Sequence, residues 1–204
     1  MAALAASALL AASAGCRDWK ARVDPARARA EPVQEPLEGA RPIEYEKKGF
    51  RVRLVPRATY QVTGYAVEKS TKLLDEWDFV VPMDLALAWG PVATPEVLSR
   101  LDFHLSRRYV SYRWRGSPPL AAGAIAAHVA NNHLIPASEE VERALDEVRV
   151  GDVVTLAGKL VDVAVRDAQG RVRFESRTSL LRTDVGSGAC EQIWVEAVAV
   201  DRPD

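Results

Sequence analysis

The alternation of apolar and polar residues in the C-terminal third of the chain predicts a β-hairpin followed by a closing strand. Residues 153–165 have the pattern of one long strand interrupted by Gly158, and residues 167–170 supply the turn into a returning strand over residues 171–177. Residues 192–200 predict a further apolar strand. A long bent strand, a hairpin and a closing strand are the parts of a small, strongly curved sheet.

Two further strands are predicted in the first half of the chain. Residues 59–67 are rich in β-branched and aromatic side chains, and Gly64 suits a bulge or the close approach of another strand. Further on, Leu85, Leu87 and Trp89 alternate on one face before a Gly-Pro pair breaks the run. We expect that face to pack on the core.

Short helices are predicted between these strands. Residues 94–96 (Thr-Pro-Glu) and 138–140 (Ser-Glu-Glu) each supply an N-cap and a first-turn acid ahead of apolar residues. The Ser-Pro pair at 117–118 precedes an Ala-rich run to Val129, and the two asparagines at 131–132 suit its left-handed end. These helices are short enough to cap or bridge a sheet.

The fold class predicted from these elements is α+β, mainly β. Our first choice is a small, partly closed β-barrel, similar to an OB-type barrel, with short capping helices. The alternative is a strongly curved antiparallel sheet backed by helices. We assign residues 45–204 to this single globular domain.

The chain begins with an apolar run. Residues 1–15 carry no charge, and the run ends in Ser13-Ala14-Gly15-Cys16, which resembles the cleavage site of bacterial lipoproteins. A secretory signal has an apolar region of roughly 7 to 15 residues, whereas a membrane-spanning helix needs about 20. The resemblance implies that residues 1–15 are a removed signal peptide and that Cys16 carries lipid. The alternatives are an ordinary secretory signal and a buried Ala-rich helix with an incidental cysteine.

A segment of low hydrophobicity follows the lipid attachment point. Residues 17–44 alternate Arg, Ala and Glu, contain four prolines, and have few large apolar side chains. Such a segment cannot bury enough surface to fold alone. We therefore interpret residues 16–44 as the lipidated cysteine and a flexible tether that holds the domain at the membrane.

Composition narrows the classes of partner and cofactor. The formal net charge is −1, so the chain lacks the basic signature of many nucleic-acid-binding proteins, and we expect no nucleic acid partner. There are two cysteines, and lipidation of Cys16 leaves Cys190 without a partner for an internal disulfide. Cys190 is then a buried small hydrophobe, an intermolecular partner or a reactive thiol. We expect no cofactor.

The best candidate for recognition is the segment 107–115, Arg-Arg-Tyr-Val-Ser-Tyr-Arg-Trp-Arg. Read as a strand, it places Arg107, Tyr109, Arg113 and Arg115 on one face. Guanidinium groups bind carboxylate and phosphate in fork geometry, so this face suits an anionic ligand, a phospholipid headgroup or an envelope protein. The alternative is a solvated face whose arginines pair with acids elsewhere, such as those of the predicted helix at 139–147.

Histidine and cysteine supply the remaining candidates for chemistry. His128 and His133 would lie about 140° apart on a continuous helix and have no acidic neighbour in sequence, so we expect no metal site. Cys190 follows the Gly-rich segment 186–189 but precedes a strand, which is not the context of a serine-hydrolase elbow. Cys190 activated by His133 as a base would suit a thiol-dependent hydrolase of the cell envelope.

Three segments together resemble an uncharacterised bacterial protein family: residues 84–90, residues 132–136 (Asn-His-Leu-Ile-Pro) and residues 188–191 with Trp194-Val195. The resemblance implies a bacterial envelope setting and carries no activity. Two hypotheses follow. The first is a lipid-anchored, non-catalytic binding module of the bacterial cell envelope, and the second is the thiol-dependent hydrolase. We favour the first because catalysis needs convergent groups, and the sequence offers scattered ones.

Overall fold

Strands dominate the computed structural model, which describes residues 19–71, 76–181 and 190–202. Within those ranges the strands are β1 (Val33–Pro36), β2 (Ile43–Lys47), β3 (Phe50–Ser70), β4 (Met83–Ala88), β5 (Leu101–Ser106), β6 (Tyr109–Trp114), β7 (Val129–Pro136), β8 (Val153–Arg166), β9 (Val172–Ser176) and β10 (Glu191–Asp201). The α-helices are α1 (Pro95–Leu98), α2 (Ala122–Ala126) and α3 (Glu139–Asp146), and 3-10 turns occupy Pro25–Ala28 and Gly90–Val92.

Five strands form a ring. The order β3-β4-β7-β10-β8 is closed because β3 also pairs with β8, from Arg51 opposite Arg166 to Tyr65 opposite Val153. Register shifts near Pro56 and between Ala66 and Glu68 interrupt β3, and such bulges let one strand bend around a ring. The pairing of β7 with β10 is parallel and the other pairings of the ring are antiparallel, so the ring is not a regular barrel. The predicted mainly β fold, with a strongly curved and partly closed sheet and short helices, is confirmed.

The inside of the ring is the main hydrophobic core. Leu85, Leu87 and Trp89 all belong to it, as their alternation predicts. Helix α3 adds Val141 and Leu145 to the same core. Its N-terminus is capped as predicted, with the Ser138 hydroxyl accepting a hydrogen bond from the backbone N–H of Val141 at 3.2 Å.

The N-terminal segment does not behave as a tether. Val23 and Ala28 are buried in a second hydrophobic cluster on the outside of the ring, and Trp19 stacks on Tyr65 with ring centroids 6.2 Å apart. The Tyr65 hydroxyl donates to the carbonyl of Asp24 at 3.0 Å. Strand β1 pairs with β3. Cys16 and the leader lie outside the described residues, but residues 19–44 are part of the fold.

The low hydrophobicity of residues 19–44 led to the wrong prediction of a tether, because hydrophobicity indicates only whether a segment can fold by itself. Here a few apolar side chains fill sites that the outer face of β3 offers, and two distant polar contacts complete the docking. Arg27 pairs with Asp201, and Glu31 pairs with His128.

The helix predicted from 117 to 132 is also wrong. It is reduced to α2, and Asn131 and Asn132 lie within the central strand β7 rather than at a helix end. Pairing with β4 and β10 on both sides overrides the helix propensity of the Ala-rich run. Asn132 is buried and its side-chain amide donates to the carbonyl of Leu85 at 3.0 Å.

Two glycines permit backbones to approach closely, and the sequence indicated both. A Cβ at Gly64 would lie 2.9 Å from the carbonyl oxygen of Ala88. A Cβ at Gly158 would overlap the carbonyl oxygen of Trp194 in β10, at the point where the β8–β10 register shifts. Both positions therefore exclude larger residues.

Tyr45 of β2 packs against Trp194, close to the register shift between β8 and β10, with ring centroids 6.2 Å apart. Burial raises the pKa of Tyr45 to about 12. A folded-state pKa above the ordinary value of about 10 gives stability that is present below pH 10 and lost as the pH rises through the folded pKa. We therefore expect the free energy of unfolding to fall between about pH 10 and 12.

Tyr45→Phe should reduce this alkaline loss, because phenylalanine keeps the packing and cannot ionise. Urea unfolding at neutral and at strongly alkaline pH measures it. The exposed Tyr109 provides the control, and Tyr109→Phe should keep the alkaline loss of the parent protein. An unchanged loss in Tyr45→Phe would contradict the assignment. Tyr65 and Tyr112, whose pKa values burial also raises, account for the alkaline loss that remains in Tyr45→Phe.

Candidate functional site

A row of polar residues crosses the outer face of three neighbouring strands. Asp84 of β4 lies opposite His133 of β7, and His133 in turn lies beside Gln192 of β10. Residues two positions apart on a strand share a face, so Asn131 joins the row, while Cys190 directly precedes β10 two positions before Gln192. Strand register therefore brings together residues that are up to 108 positions apart in the sequence.

Asp84 organises this row. Its carboxylate is fully buried and accepts hydrogen bonds from Nδ1 of His133 at 2.8 Å and from Nη1 of Arg108 at 3.2 Å. Asn131 donates to its second oxygen at 3.5 Å. A carboxylate on Nδ1 fixes the orientation of an imidazole ring and leaves Nε2 available for chemistry. His133 is thus held with Nε2 as its remaining polar atom.

The hairpin of β5 and β6 supplies Arg108 through a strained turn. Arg107 and Arg108 form its two-residue loop with φ angles of 49° and 64°, the left-handed region in which Asn and Gly are the usual residues. Arg108 reaches inward and also donates to the carbonyl of Val81 at 3.2 Å. The carbonyl of Arg108 accepts from Asn131 at 2.8 Å and from Sγ of Cys190 at 3.9 Å.

These groups line one cavity of about 280 Å³, which we call the basic cavity. Arg107, Arg108 and Arg177 give it three guanidinium groups. Aromatic rings form an apolar wall, where Trp77 and Phe174 stack with centroids 5.2 Å apart. The remaining lining residues are Val81, Tyr109, His133, Ser176, Cys190 and Gln192. Among the described lining residues there is no acidic side chain.

The predicted arginine face is divided in the structure. Strand β6 has the expected alternation, with Tyr109 and Arg113 exposed, but the strand begins after Arg107. Arg107 and Tyr109 line the basic cavity. Arg113 lies further along the hairpin, and Arg115 lines a separate cleft beside Lys20 and Arg100. Arg108 of this segment pairs with Asp84 of β4, and not with an acid of the helix at 139–147 as the alternative predicted.

The predicted thiol and base, in contrast, come together. Cys190 is partly exposed, and it lines the basic cavity together with His133. The Gly-rich segment 186–189 lies outside the described residues. His128 is elsewhere, where its ring bonds Glu31 at 2.9 Å and the carbonyl of Ala124 at 2.7 Å. Across residues 19–71, 76–181 and 190–202, no cluster of His, Cys, Asp or Glu is arranged to hold a metal ion.

Four residues of the cavity and its support were not predicted as site residues: Asp84, Arg108, Arg177 and Gln192. Asp84 had a signal that could have been used, because it is a single carboxylate inside the apolar run 83–89, where a buried charge needs a partner. The sequence carried no comparable signal for Arg108, Arg177 and Gln192, because only strand register and the hairpin turn bring them to the cavity.

The Arg108–Asp84 pair should be important for stability. Arg108→Met leaves a fully buried carboxylate with one charged partner fewer, so we expect the free energy of unfolding to fall by about 3 kcal/mol. Arg53→Met is the matched control, because it breaks a solvent-exposed pair with Glu44 and should cost less than about 1 kcal/mol. Urea denaturation measures both. Equal, small losses in the two variants would contradict the role of Asp84.

Comparison with solved structures finds a distant structural likeness. No protein-family model and no curated protein sequence matches the chain. The chain is similar to the solved structure titled "Crystal structure of small single-stranded DNA-binding protein from Streptomyces coelicolor", with 13% identity and a TM-score of 0.28. The match covers 70% of this chain and 93% of that one. The expectation of no nucleic acid partner conflicts with this finding and is corrected, so nucleic acid is not excluded as a ligand class.

Proposed function

We propose that this protein is a lipid-anchored protein of the bacterial cell envelope whose β-rich domain binds a small anionic ligand in the basic cavity. The observation that carries the binding role is the convergence of three guanidinium groups and a stacked pair of aromatic rings on one cavity. The ligand has a carboxylate or phosphate group joined to an apolar, preferably aromatic, part.

The charges of the cavity favour an anion. Arg108 is offset by Asp84, so the net positive charge comes from Arg107 and Arg177, both of which are exposed. Within the described ranges, neither of these two arginines has an ion-pair partner. A guanidinium group binds carboxylate or phosphate with two parallel hydrogen bonds. The two arginines are therefore available to hold the anionic end of a ligand.

The shape of the cavity favours a ligand that is also apolar. Trp77 and Phe174 offer ring faces beside the guanidinium groups. A volume of about 280 Å³ suits a small molecule, and binding pockets combine apolar walls with a few polar groups in this way. The strain of the Arg107–Arg108 turn supports the same role, because left-handed backbone at residues other than glycine concentrates at functional sites.

The envelope location rests on the sequence of residues 1–16. The uncharged apolar run and the lipoprotein-like ending at Cys16 are the support for it. Within the described residues, no helix has the length and apolar character needed to span a bilayer. Acyl chains on Cys16 would supply the attachment.

The envelope location is tested by labelling with palmitate. In a bacterial host, Cys16→Ser should abolish incorporation of labelled palmitate and move the protein out of the membrane fraction, because the acyl chains are lost. Cys190→Ser is the control and should retain the label. Palmitate incorporation that persists in Cys16→Ser would contradict lipidation at Cys16.

Ligand binding is tested by calorimetric titration with 1-naphthyl phosphate. We expect a Kd of about 1 mM or below, and Arg107→Asn should weaken binding about tenfold by removing a charge-assisted hydrogen bond. Asparagine is favoured in this type of turn, so the hairpin should persist. Arg113→Asn removes an arginine of the same hairpin outside the cavity and should leave the affinity unchanged. Equal effects of the two substitutions would reject the cavity as the site.

Further titrations identify the source of the anion. Inorganic phosphate alone should bind more weakly than 1-naphthyl phosphate, because it cannot use Trp77 and Phe174. Phosphatidylglycerol vesicles that compete with 1-naphthyl phosphate would assign the same chemistry to a lipid headgroup, and vesicles that do not compete would assign it to a soluble ligand. A single-stranded oligonucleotide that binds in preference to 1-naphthyl phosphate would overturn the small-ligand proposal.

A further inference from the structure

We infer that the basic cavity also performs thiol chemistry, in which Cys190 attacks the acyl carbon of an anionic ester and His133 accepts the thiol proton. The inference rests on the proposed function, because Arg107 and Arg177 hold the anionic end of the ester. This inference assigns a reaction to the basic cavity in addition to ligand binding.

His133 is held as a base in the manner that nucleophilic catalysis requires. Asp84 accepts the hydrogen bond from Nδ1 at 2.8 Å, so Nε2 is the ring nitrogen that remains for the cavity. Arg108 and Asn131 hold Asp84 in turn. Nucleophile, base and a third group that orients the base are the arrangement of thiol and serine enzymes, and it is recognised by geometry rather than by sequence position.

Cys190 lines the same cavity as His133. The residue is partly exposed, and its Sγ donates a long hydrogen bond of 3.9 Å to the carbonyl of Arg108 at the hairpin turn. Three arginines line the same cavity, and nearby positive charge favours the thiolate. The other titratable groups around the cavity are His133, Tyr109 and the paired Asp84 behind His133.

Gln192 provides an independent sign of a missing ligand. Only 2% of it is exposed, it lines the cavity, and its Nε2 has no hydrogen-bond partner among the described residues. A buried amide donor without a partner is costly and rare in folded proteins. The N–H group of a residue that lines the cavity is suited to the oxygen of a substrate carbonyl, and above all to the oxyanion formed when a thiolate adds to it.

The reaction balances with water as the only co-reactant. The thiol proton moves to Nε2 of His133 while the sulfur forms a bond to the ester carbon, whose carbonyl oxygen becomes an oxyanion beside Gln192. The oxyanion collapses, the C–O bond to the alcohol breaks, and the imidazolium returns the proton to that oxygen. Water then attacks the thioester and its proton passes to His133. The C–S bond breaks, and His133 returns this proton to the sulfur, which gives a carboxylic acid, the free thiol and neutral His133.

The test uses the full chain with Cys16→Ser, so that Cys190 is the single thiol. The probe is 4-nitrophenyl hydrogen succinate, which joins a carboxylate to an aromatic leaving group. We expect a burst of about one equivalent of nitrophenolate per chain and a mass increase of one succinyl group on Cys190. Cys190→Ser should abolish the mass increase, and no burst in the parent protein would overturn the inference.

Three substitutions assign the roles of the supporting residues. His133→Asn and Gln192→Leu should each slow the burst by about 100-fold. Asp84 is a positioning residue, so Asp84→Asn should move the pH dependence of the burst rate, which a merely structural role would leave in place. Melting curves of every variant confirm that the protein remains folded. A burst rate unchanged by His133→Asn would reject His133 as the base.

A neutral probe separates this inference from the proposed function. The parent protein should react at least tenfold faster with the succinate ester than with 4-nitrophenyl acetate, and Arg107→Asn should remove that preference. Equal bursts with both esters would support the thiol chemistry and count against the anion site. Binding of 1-naphthyl phosphate without a burst would keep the anion site and overturn the thiol chemistry.

Discussion

The pairing of β3 with β8 is the constraint on which the remaining structure depends. It closes the ring, and closure requires β8 to pass so near β10 that Gly158 has no room for a side chain. Once the ring is closed, β4, β7 and β10 have a fixed register. The alignment of Asp84, His133 and Gln192 follows from that register rather than from any local signal.

A buried carboxylate then determines what the outer face can do. Asp84 has no access to solvent, so its charge requires Arg108, and Arg108 can reach it because the hairpin turn adopts a left-handed conformation. The same turn leaves Arg107 exposed beside the cavity. Two consecutive residues therefore have different roles: Arg108 stabilises the buried charge, and Arg107 adds positive charge to the cavity.

Local sequence patterns predict much of the fold but little of the candidate site. The strands at β8, β9 and β10 and the capped helix α3 follow from alternation, turns and caps within short windows. Strand β7 and residues 19–44 were misjudged because distant pairing stabilises them. Cys190, His133, Arg107 and Tyr109 were identified individually, but their convergence, and the part played by Asp84, depend on contacts between strands.

Docking of the N-terminal segment changes how the domain would stand on a membrane. Trp19 is fixed against Tyr65, and the three chain steps from Cys16 to Trp19 can span at most about 10 Å. With acyl chains on Cys16, as proposed, the domain would lie close to the lipid surface instead of being held away from it by a long flexible tether. The cleft that Lys20, Arg100 and Arg115 line would then lie near the attachment point, where its positive charges would favour anionic headgroups.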